Sequence, residues 1–302
     1  MIRNARPFAG VFGYLMTPFR EDGRIDVRYL AEQTDRMIAA GIQGLAPLGN
    51  AGIVSYLSDE EREEVVEAVC RHVAGRVPIL VGISATTTER SLHHAKFAER
   101  AGAAAVMAMP TSDWQLTDDE TFAYFKQIGE VLSIPVMAYD SKMKPGGLMP
   151  IDLVVRLAGI PNVSMMKDSS GDVERLQKLL DLTAGILGIF VGKNTAAFPS
   201  LALGCSGWCS SAPVLAPRHT LELYRRVNAG DLPGARKIAK ELSPLLDILV
   251  RCGLPRVLNA GSAILGQTAG PLRAPLMPLP ASAEAQLRKC LLDLGLVGGS
   301  QP

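Results

Sequence analysis

Long apolar runs are missing from this sequence, and none approaches the ~20 residues that a membrane-spanning helix requires. The first residues, MIRNARPFAGVFG, contain no long apolar core followed by a cleavage-type segment, so we expect no signal peptide. A dense block of lysine and arginine is also missing, and the formal net charge is only +1. Nucleic acid is therefore a poor candidate partner. These absences indicate a cytoplasmic protein that binds neither membranes nor nucleic acid, and they favour a small neutral or anionic metabolite as its ligand.

Cysteine and histidine are scarce, and their spacing is not that of a metal centre. The five cysteines form no CxxC pair, and an odd number in a chain of this size favours reduced thiols. The four histidines include no HxH or HExxH arrangement. We therefore expect neither a metal ion nor another cofactor. The residues concerned are Cys70, Cys205, Cys209, Cys252, Cys290, His72, His93, His94 and His219.

The composition provides a large hydrophobic core. Hydrophobic residues make up 48% of the 302 residues and charged residues 20%, proportions that argue against wholesale disorder. A chain of this length can form two ordinary domains or one large one, because α/β barrels of about 250 residues fold as a single unit.

Short apolar runs alternate with longer amphipathic segments along most of the chain. Each run is nearly continuously apolar, as expected for a parallel strand that is covered on both faces. The eight runs are GVFGYLMTP from Gly10, GLAPLG from Gly44, VPILVGI from Val77, AAAVMAMP from Ala103, IPVMAYD from Ile134, VSMMKD from Val163, GIFVGK from Gly188 and GWCSSA from Gly207.

The intervening segments have the features of helices. One begins at Ser58, with Glu61 at the spacing of a capping box. Another, DVRYLAEQTDRMIAAG, ends at Gly41, a suitable C-terminal cap. Eight strand–helix pairs predict an α/β fold of the (β/α)₈ TIM-barrel type. A doubly wound open sheet is the alternative, because the last two strand patterns are weak.

The pattern changes near residue 228, which divides the chain into a predicted barrel, 1–228, and a predicted helical extension packed on the barrel, 229–302. The extension contains three helix-like segments, LPGARKIAKELSPLLDILV, GLPRVLNAGSAILG and SAEAQLRKCLLDLG, and no strand pattern. Its Pro-rich stretch Gly270–Pro280 predicts a connector.

Polar residues at the ends of the predicted strands are the candidates for catalysis, because barrel enzymes carry their active sites at the carboxyl ends of the strands. Lys167 ends strand six after an apolar run, and burial disfavours a charged amine. A neutral amine attacks a carbonyl carbon and yields a Schiff base. Taken alone, a strand-end lysine is more often paired, here with Asp168, or extended to solvent.

Tyr139 ends strand five, beside Lys167 in the predicted sheet. Its phenol can pass protons to and from the carbinolamine that precedes an imine. A single strand-end tyrosine is more often a packing residue, but two such groups on adjacent strands at one face favour catalysis.

Four motifs, TPFREDGRID, GLAPLGNAGIVSYLSDEER, IPVMAYD and MMKDSSGD, resemble in order and spacing the dihydrodipicolinate synthase / N-acetylneuraminate lyase family. The resemblance runs from about Val11 to Pro217. It implies a class I aldolase-type barrel, usually a homotetramer and here expected as a tetramer or dimer, that binds a 2-oxo acid as a Schiff base. By motif match, Lys167 is expected to be the Schiff-base lysine and Tyr139 the proton-transferring tyrosine.

The loop PLGNAGI departs from the Gly-Thr-Thr-Gly-Glu segment of the family. Asn50 and Ala51 stand at the threonine positions, and Ile53 stands at the glutamate position. The resemblance implies that Gly49, Asn50 and Ala51 bind the carboxylate of the oxo acid, through the backbone N–H groups of Asn50 and Ala51 and the side-chain amide of Asn50. The family's hydroxyl relay is lost.

Further departures fall at positions for a second substrate. Lys144 stands where family members that make dihydrodipicolinate have arginine, and it offers a cation without the bidentate fork. Near strand four a tyrosine that family members lend to a neighbouring subunit is missing, and Trp114 lies nearby as a pocket wall or a packing residue. Gly192 and Ser210, at the ends of strands seven and eight, complete the candidate substrate-binding set.

The retained Tyr139 and Lys167 predict a Schiff-base lyase of the aldolase, dehydratase or deaminase type. Its expected substrate is a 2-oxo acid such as pyruvate or a longer oxo or sugar acid, and we expect it not to be an authentic dihydrodipicolinate synthase. The alternative is a non-catalytic barrel that binds a small oxo acid, as a sensor or a decayed paralogue. A phosphate-binding barrel is disfavoured, because GNAGI is too short and lacks the Walker pattern.

Overall fold

Eight parallel strands form the barrel wall in the computed structural model, which describes residues 8–142 and 144–298. Each strand lies within one of the apolar runs. Their bounds are Gly10–Tyr14 (β1), Gly44–Ala46 (β2), Leu80–Gly82 (β3), Ala105–Ala108 (β4), Val136–Asp140 (β5), Val163–Asp168 (β6), Gly188–Val191 (β7) and Gly207–Ser210 (β8).

The strands are hydrogen-bonded in the order β2-β1-β8-β7-β6-β5-β4-β3. The two ends of this series meet through a parallel bridge between Leu45 and Ile79 and a hydrogen bond from the Gly82 N–H to the Pro47 carbonyl, 3.1 Å long. The barrel is therefore nearly closed. The predicted TIM-barrel fold is confirmed, and the doubly wound open sheet is excluded.

Helices alternate with the strands and cover the outside of the barrel. They are Val27–Ala39 (α1), Asp59–Val73 (α2), Thr88–Arg100 (α3), Asp118–Val131 (α4), Ile151–Leu157 (α5), Val173–Leu182 (α6), Ala197–Ala202 (α7) and Pro217–Asn228 (α8). The capping box is present: the Ser58 hydroxyl accepts from the Glu61 N–H at 3.2 Å, and the Glu61 carboxylate accepts from the Ser58 N–H at 2.9 Å. No described helix is long and apolar enough to cross a membrane.

The predicted C-terminal helices are also present, at Leu232–Cys252 (α9), Leu254–Ile264 (α10) and Ala281–Asp293 (α11). The Pro-rich stretch between α10 and α11 is irregular, as the sequence predicted. A boundary between two units at residue 228 stays a prediction.

Arg273 attaches this irregular stretch to the barrel. Its guanidinium donates to both oxygens of Glu61 at 2.6 and 2.7 Å, and to the carbonyls of Tyr56 and Gly23 at 2.9 and 3.0 Å. It also lies over the ring of Phe19, 4.1 Å from the ring centre. The extension is therefore held beside the loop that follows β2.

Aromatic and sulfur-containing side chains fill the barrel interior. The rings of Phe12 and Phe190 meet edge to face with their centres 5.5 Å apart. The Cys209 thiol lies 4.0 Å from the sulfur of Met137, and all five cysteines are unpaired. Because the interior is packed rather than hollow, a ligand has to enter at the ends of the strands.

Candidate active site

Tyr139 and Lys167 lie side by side at the carboxyl ends of β5 and β6. The two strands pair in a register that places Tyr139 opposite Lys167 and Asp140 opposite Asp168. Because side chains alternate across a strand, the tyrosine and the lysine share the inner face while the two aspartates share the outer face. The Lys167 Nζ atom lies 3.5 Å from the centre of the Tyr139 ring and 5.0 Å from that of Tyr14.

Lys167 forms no ion pair with any residue in the described part of the chain, and it is 4% exposed. The neighbouring Asp168 instead accepts from the Arg175 Nε at 2.8 Å and from the Ser170 N–H at 2.8 Å. Both ordinary explanations for a strand-end lysine, a pair with Asp168 and extension to solvent, are therefore wrong here. The amine faces aromatic rings and is available for covalent chemistry.

The environment of the Tyr139 hydroxyl favours loss of its proton. Burial by itself raises the pKa of this phenol, but the positive charge of Lys167 lowers it. The hydroxyls of Ser141 and Ser169 act in the same direction, and the resulting pKa lies below the ordinary value of 10.0. The phenol therefore gives up its proton more readily than a free tyrosine.

A buried ion network behind the two strands was not identified from the sequence. Arg175, in the first turn of α6, reaches Asp140 through Nη2 at 2.9 Å and Asp168 through Nε at 2.8 Å. The Asp140 carboxylate also accepts from the Met149 N–H at 3.0 and 3.1 Å. Burial raises the pKa of Asp140 to about 6 even though cations lie nearby. The sequence contained a signal for this network, because an aspartate directly follows each catalytic candidate. Two buried carboxylates require a cation nearby.

Lys144 belongs to the same network. Its Nζ lies 3.9 Å from Asp140 Oδ1, and its side chain is 15% exposed. The ammonium is therefore close to the strand ends, as its proposed contact with a second substrate requires. Because the ammonium already interacts with Asp140, a substrate carboxylate would compete with that aspartate for the ammonium.

The glycine loop after β2 rests on the inner aromatic layer. A Cβ atom on Gly49 would lie 2.6 Å from the ring of Tyr14, so only glycine allows this approach. Asn50 and Ala51 begin the short 3₁₀ turn Asn50–Gly52, and within the described chain their N–H groups donate to no acceptor. Unpaired N–H groups at the start of a helical turn are suited to an anion such as a carboxylate.

The loop is strained, and its side chains do not all face the site. Leu48 and Ile53 have positive φ angles of 58° and 47°, a conformation that costs a non-glycine residue about 1–3 kcal/mol and is often found at ligand sites. Ala51 and Ile53 line a small cavity against the C-terminal extension, with Pro255 and Asn259 on its far side. Ala51 therefore offers its N–H group rather than its side chain to a ligand.

Gly192, at the end of β7, lies directly beside the lysine. A Cβ atom on this residue would be 2.7 Å from Lys167 Cε and 2.0 Å from Ser169 Oγ. Glycine is therefore required because two other side chains occupy the space. Ser169 was not singled out from the sequence, although its position two residues after the lysine was visible.

Two of the remaining candidates lie in other environments. The Ser210 hydroxyl donates to the Asn194 side-chain oxygen at 3.0 Å and accepts from the Ala212 N–H at 3.1 Å. These bonds satisfy the hydroxyl and give Ser210 a structural setting, so the geometry does not favour its expected contact with substrate. Trp114 is 80% exposed, which excludes a packing role within one chain.

Comparison with known proteins identifies the family. The model of the dihydrodipicolinate synthetase family matches residues 7–293. The chain belongs to this family. A 4-hydroxy-tetrahydrodipicolinate synthase of Methanothrix thermoacetophila is 30% identical over 293 residues, which cover 97% of this chain and 99% of the relative.

Solved structures give the same result. A protein of Pseudomonas aeruginosa, provisionally assigned as a dihydrodipicolinate synthetase, is 38% identical and superposes with a TM-score of 0.93 over 95% of this chain and 99% of its own. The chloride-inhibited dihydrodipicolinate synthase from Acinetobacter baumannii, whose structure contains pyruvate, is 28% identical with a TM-score of 0.91 and coverages of 96% and 99%.

These findings confirm the predicted family and the predicted class of enzyme, a lyase of the Schiff-base aldolase type. They give no support to the expectation that the chain is not an authentic dihydrodipicolinate synthase, since curated relatives carry the name of that enzyme. The roles of individual residues, the cytoplasmic location and the tetrameric or dimeric assembly stay predictions.

Proposed function

We propose that this protein joins a 2-oxo acid, with pyruvate as the simplest case, to Lys167 as a Schiff base and makes or breaks a bond at the adjacent carbon. The observation that carries the proposal is the buried Lys167 amine, which lies 3.5 Å from the centre of the Tyr139 ring and has no carboxylate partner among the described residues. The pyruvate bound to the Acinetobacter baumannii relative supports the choice of substrate.

The chemistry follows from these two side chains. The Lys167 ammonium first gives up one proton. The resulting amine adds to the carbonyl carbon, and one proton moves from the nitrogen to the carbonyl oxygen to give a carbinolamine. A second proton, supplied from the Tyr139 hydroxyl, allows that oxygen to leave as water, and a protonated imine remains. The imine withdraws electrons from the next carbon, which can then lose a proton or break a carbon–carbon bond.

The glycine loop and the ion network would bind the parts of the reactants that do not react with Lys167. The N–H groups of Asn50 and Ala51 would hold the carboxylate of the oxo acid, because they have no other acceptor. Lys144 would meet an anionic group on the second reactant in exchange for its 3.9 Å contact with Asp140. No cofactor takes part in this scheme, because the lysine itself provides the electron sink.

The test is borohydride reduction in the presence of pyruvate, followed by peptide mass spectrometry. We expect an added mass equal to pyruvic acid less one oxygen atom, located on Lys167. Lys167→Met should form no adduct, whereas Lys144→Met should still form it because that lysine lies outside the inner face. Absence of an adduct across a broad panel of oxo acids would refute the proposal.

The same samples distinguish an enzyme from a non-catalytic binding barrel. A binding barrel predicts that pyruvate raises the melting temperature equally in the wild type and in Lys167→Ala, with no adduct in either. Product analysis then separates the reaction types, since aldol cleavage yields pyruvate and an aldehyde, whereas dehydration or deamination keeps the carbon skeleton.

A further inference from the structure

Building on the Schiff-base function proposed above, we infer that the Ser169 hydroxyl is a catalytic group that carries protons between Tyr139 and the oxygen that leaves the carbon bound to Lys167. Ser169 then completes a three-residue site on the inner face of β6 and β5.

The need for a proton carrier follows from the burial of Tyr139, which is only 7% exposed. A buried phenol does not exchange its proton freely with bulk water, so the proton has to pass to and from the reacting oxygen inside the site, directly or through a neighbouring hydroxyl. The adjacent loop, residues 49–53, contains no hydroxyl side chain. The carrier therefore has to come from another element.

Several hydroxyls near the strand ends already form hydrogen bonds within the protein. The Thr17 hydroxyl donates to the Gly52 carbonyl at 2.8 Å. The Ser84 hydroxyl accepts from the Met109 N–H at 2.9 Å. The Ser210 hydroxyl both donates a hydrogen bond, to Asn194, and accepts one, from the Ala212 N–H. Thr17 and Ser210 therefore have to break a hydrogen bond before their protons can move, and the Ser84 oxygen is held by the N–H that follows β4.

The oxygens of Ser169 and Ser211 are shielded from solvent and have no hydrogen-bond partner in the described chain. Of the two, only Ser169 lowers the pKa of the Tyr139 phenol. Burying a hydroxyl without a partner is costly, so such an atom is a candidate for contact with a ligand or a reacting group where it lies beside one. The backbone of Ser169 is not loose, because its N–H donates to the Asp140 carbonyl at 3.1 Å.

Ser169 Oγ lies close to both reacting side chains. Its Oγ and the Lys167 Cε both approach the vacant Cβ position of Gly192, at 2.0 and 2.7 Å. The same hydroxyl is close enough to Tyr139 to lower the pKa of the phenol, although its geometry falls outside that of a full hydrogen bond. A small reorientation on substrate binding would complete the bond.

Ser141 also contacts Tyr139 and lowers the pKa of the phenol. It follows β5 rather than β6, and it already has an interaction partner. We therefore assign Ser141 to orienting the phenol and Ser169 to the transfer.

The step is a balanced double transfer. The carbinolamine oxygen takes the Ser169 proton as its bond to carbon breaks, and Ser169 Oγ takes the Tyr139 proton at the same time. Water leaves, the nitrogen lone pair forms the C=N bond, and the phenolate faces the cationic imine. Hydrolysis of the product imine runs the same path in reverse.

The test compares imine formation in three alanine variants by quenching with borohydride at timed intervals after pyruvate is added. Ser169→Ala should slow both imine formation and turnover by about 100-fold, as expected for loss of a general acid–base group. Its KM for pyruvate should change by less than about threefold, because the contact acts in the transition state. Ser169→Thr keeps the hydroxyl, so it should react about tenfold faster than Ser169→Ala.

Ser200→Ala is the matched control, because the Ser200 hydroxyl is also buried without a partner but belongs to α7. It should leave the rates unchanged. If Ser169→Ala does not fold, Ser169→Gly carries the test, since it also removes the hydroxyl and should slow imine formation.

The outcomes separate the inference from the function on which it rests. If the wild type forms the adduct and Ser169→Ala forms it equally fast, the role of Ser169 is refuted and the function stands. If Ser141→Ala alone slows the reaction, the carrier is Ser141 and the inference is again refuted. If the wild type forms no adduct with any oxo acid, the proposed function fails and the inference fails with it.

Discussion

Replacing Arg175 with methionine should destabilise the protein in a pH-dependent way. The guanidinium is 10% exposed and bridges two carboxylates, Asp140 and Asp168, that are fully shielded from solvent. Methionine keeps much of the length of the side chain and removes the charge. The two buried carboxylates would then depend on the Lys144 ammonium, 3.9 Å from Asp140, and on N–H donors.

The size of the effect follows from the burial of this network. Removing one partner of a buried ion pair costs about 3–5 kcal/mol, a large fraction of the roughly 5–15 kcal/mol that stabilises a typical domain. At about 1.5–2 °C per kcal/mol for a chain of this size, the melting temperature should fall by roughly 5–10 °C. Arg175→Lys should fall between the wild type and the methionine variant, because one ammonium cannot bridge both carboxylates.

The pH dependence has a definite sign. The pKa of Asp140 in the folded protein is about 6, above its ordinary value of 3.8, so the wild type loses free energy of unfolding as the pH rises through this range. Without Arg175 the pKa of Asp140 rises further, and this loss continues to higher pH. The difference between wild type and variant should therefore grow from acidic to neutral pH.

Thermal and urea unfolding at several pH values, followed by circular dichroism, measure this difference. Arg28→Met is the control: its pair with Glu32 is exposed, and its loss should shift the melting temperature by less than about 2 °C. A difference for Arg175→Met that is the same at acidic and neutral pH would contradict the assignment of the network to buried charge.

Three further substitutions test the site and its support. Gly192→Ala should reduce turnover and stability, since its Cβ atom would overlap the serine hydroxyl and the lysine stem, whereas Gly188→Ala on the same strand meets neighbours only at 3.6 Å and should be tolerated in both assays. Tyr139→Phe should lower kcat by about 10²–10⁴-fold in steady-state assays while the fold, followed by circular dichroism, is kept; a near-wild-type kcat would contradict a proton-transfer role. Arg273→Met should lower the free energy of unfolding by about 2 kcal/mol in urea titrations, because it breaks a partly exposed bidentate pair with Glu61; Glu61→Gln should be milder, and an unchanged midpoint in both would show that this contact does not hold the extension.

The barrel and its two central candidates were accessible from sequence because they depend on local patterns. Apolar runs of the right length identify buried parallel strands whatever their partners are, and the capping box at Ser58 depends on residues three apart. Lys167 and Tyr139 stood out because each ends a strand, and strand ends meet at one face of a barrel. The pair between Lys167 and Asp168 that the sequence left open is wrong, because adjacent residues of a strand face opposite sides.

Which partner each polar side chain binds could be learned only from the tertiary structure. Arg175 is 35 residues from Asp140 in sequence, and Gly192 approaches Ser169 across neighbouring strands. Ser210 ends a strand as Lys167 does, but its hydroxyl is held by Asn194. No local pattern distinguishes these cases.

The sequence by itself therefore determined which elements form, their order around the barrel and the position of Lys167 and Tyr139 at the carboxyl ends of adjacent strands. Only the tertiary structure decided which buried charges neutralise each other and which hydroxyls are left without a partner. The physical reason is the distance along the chain over which each effect acts. Periodicity and capping depend on residues close in sequence. Ion pairs and unfilled space beside a side chain depend on segments that only packing brings within a few ångströms.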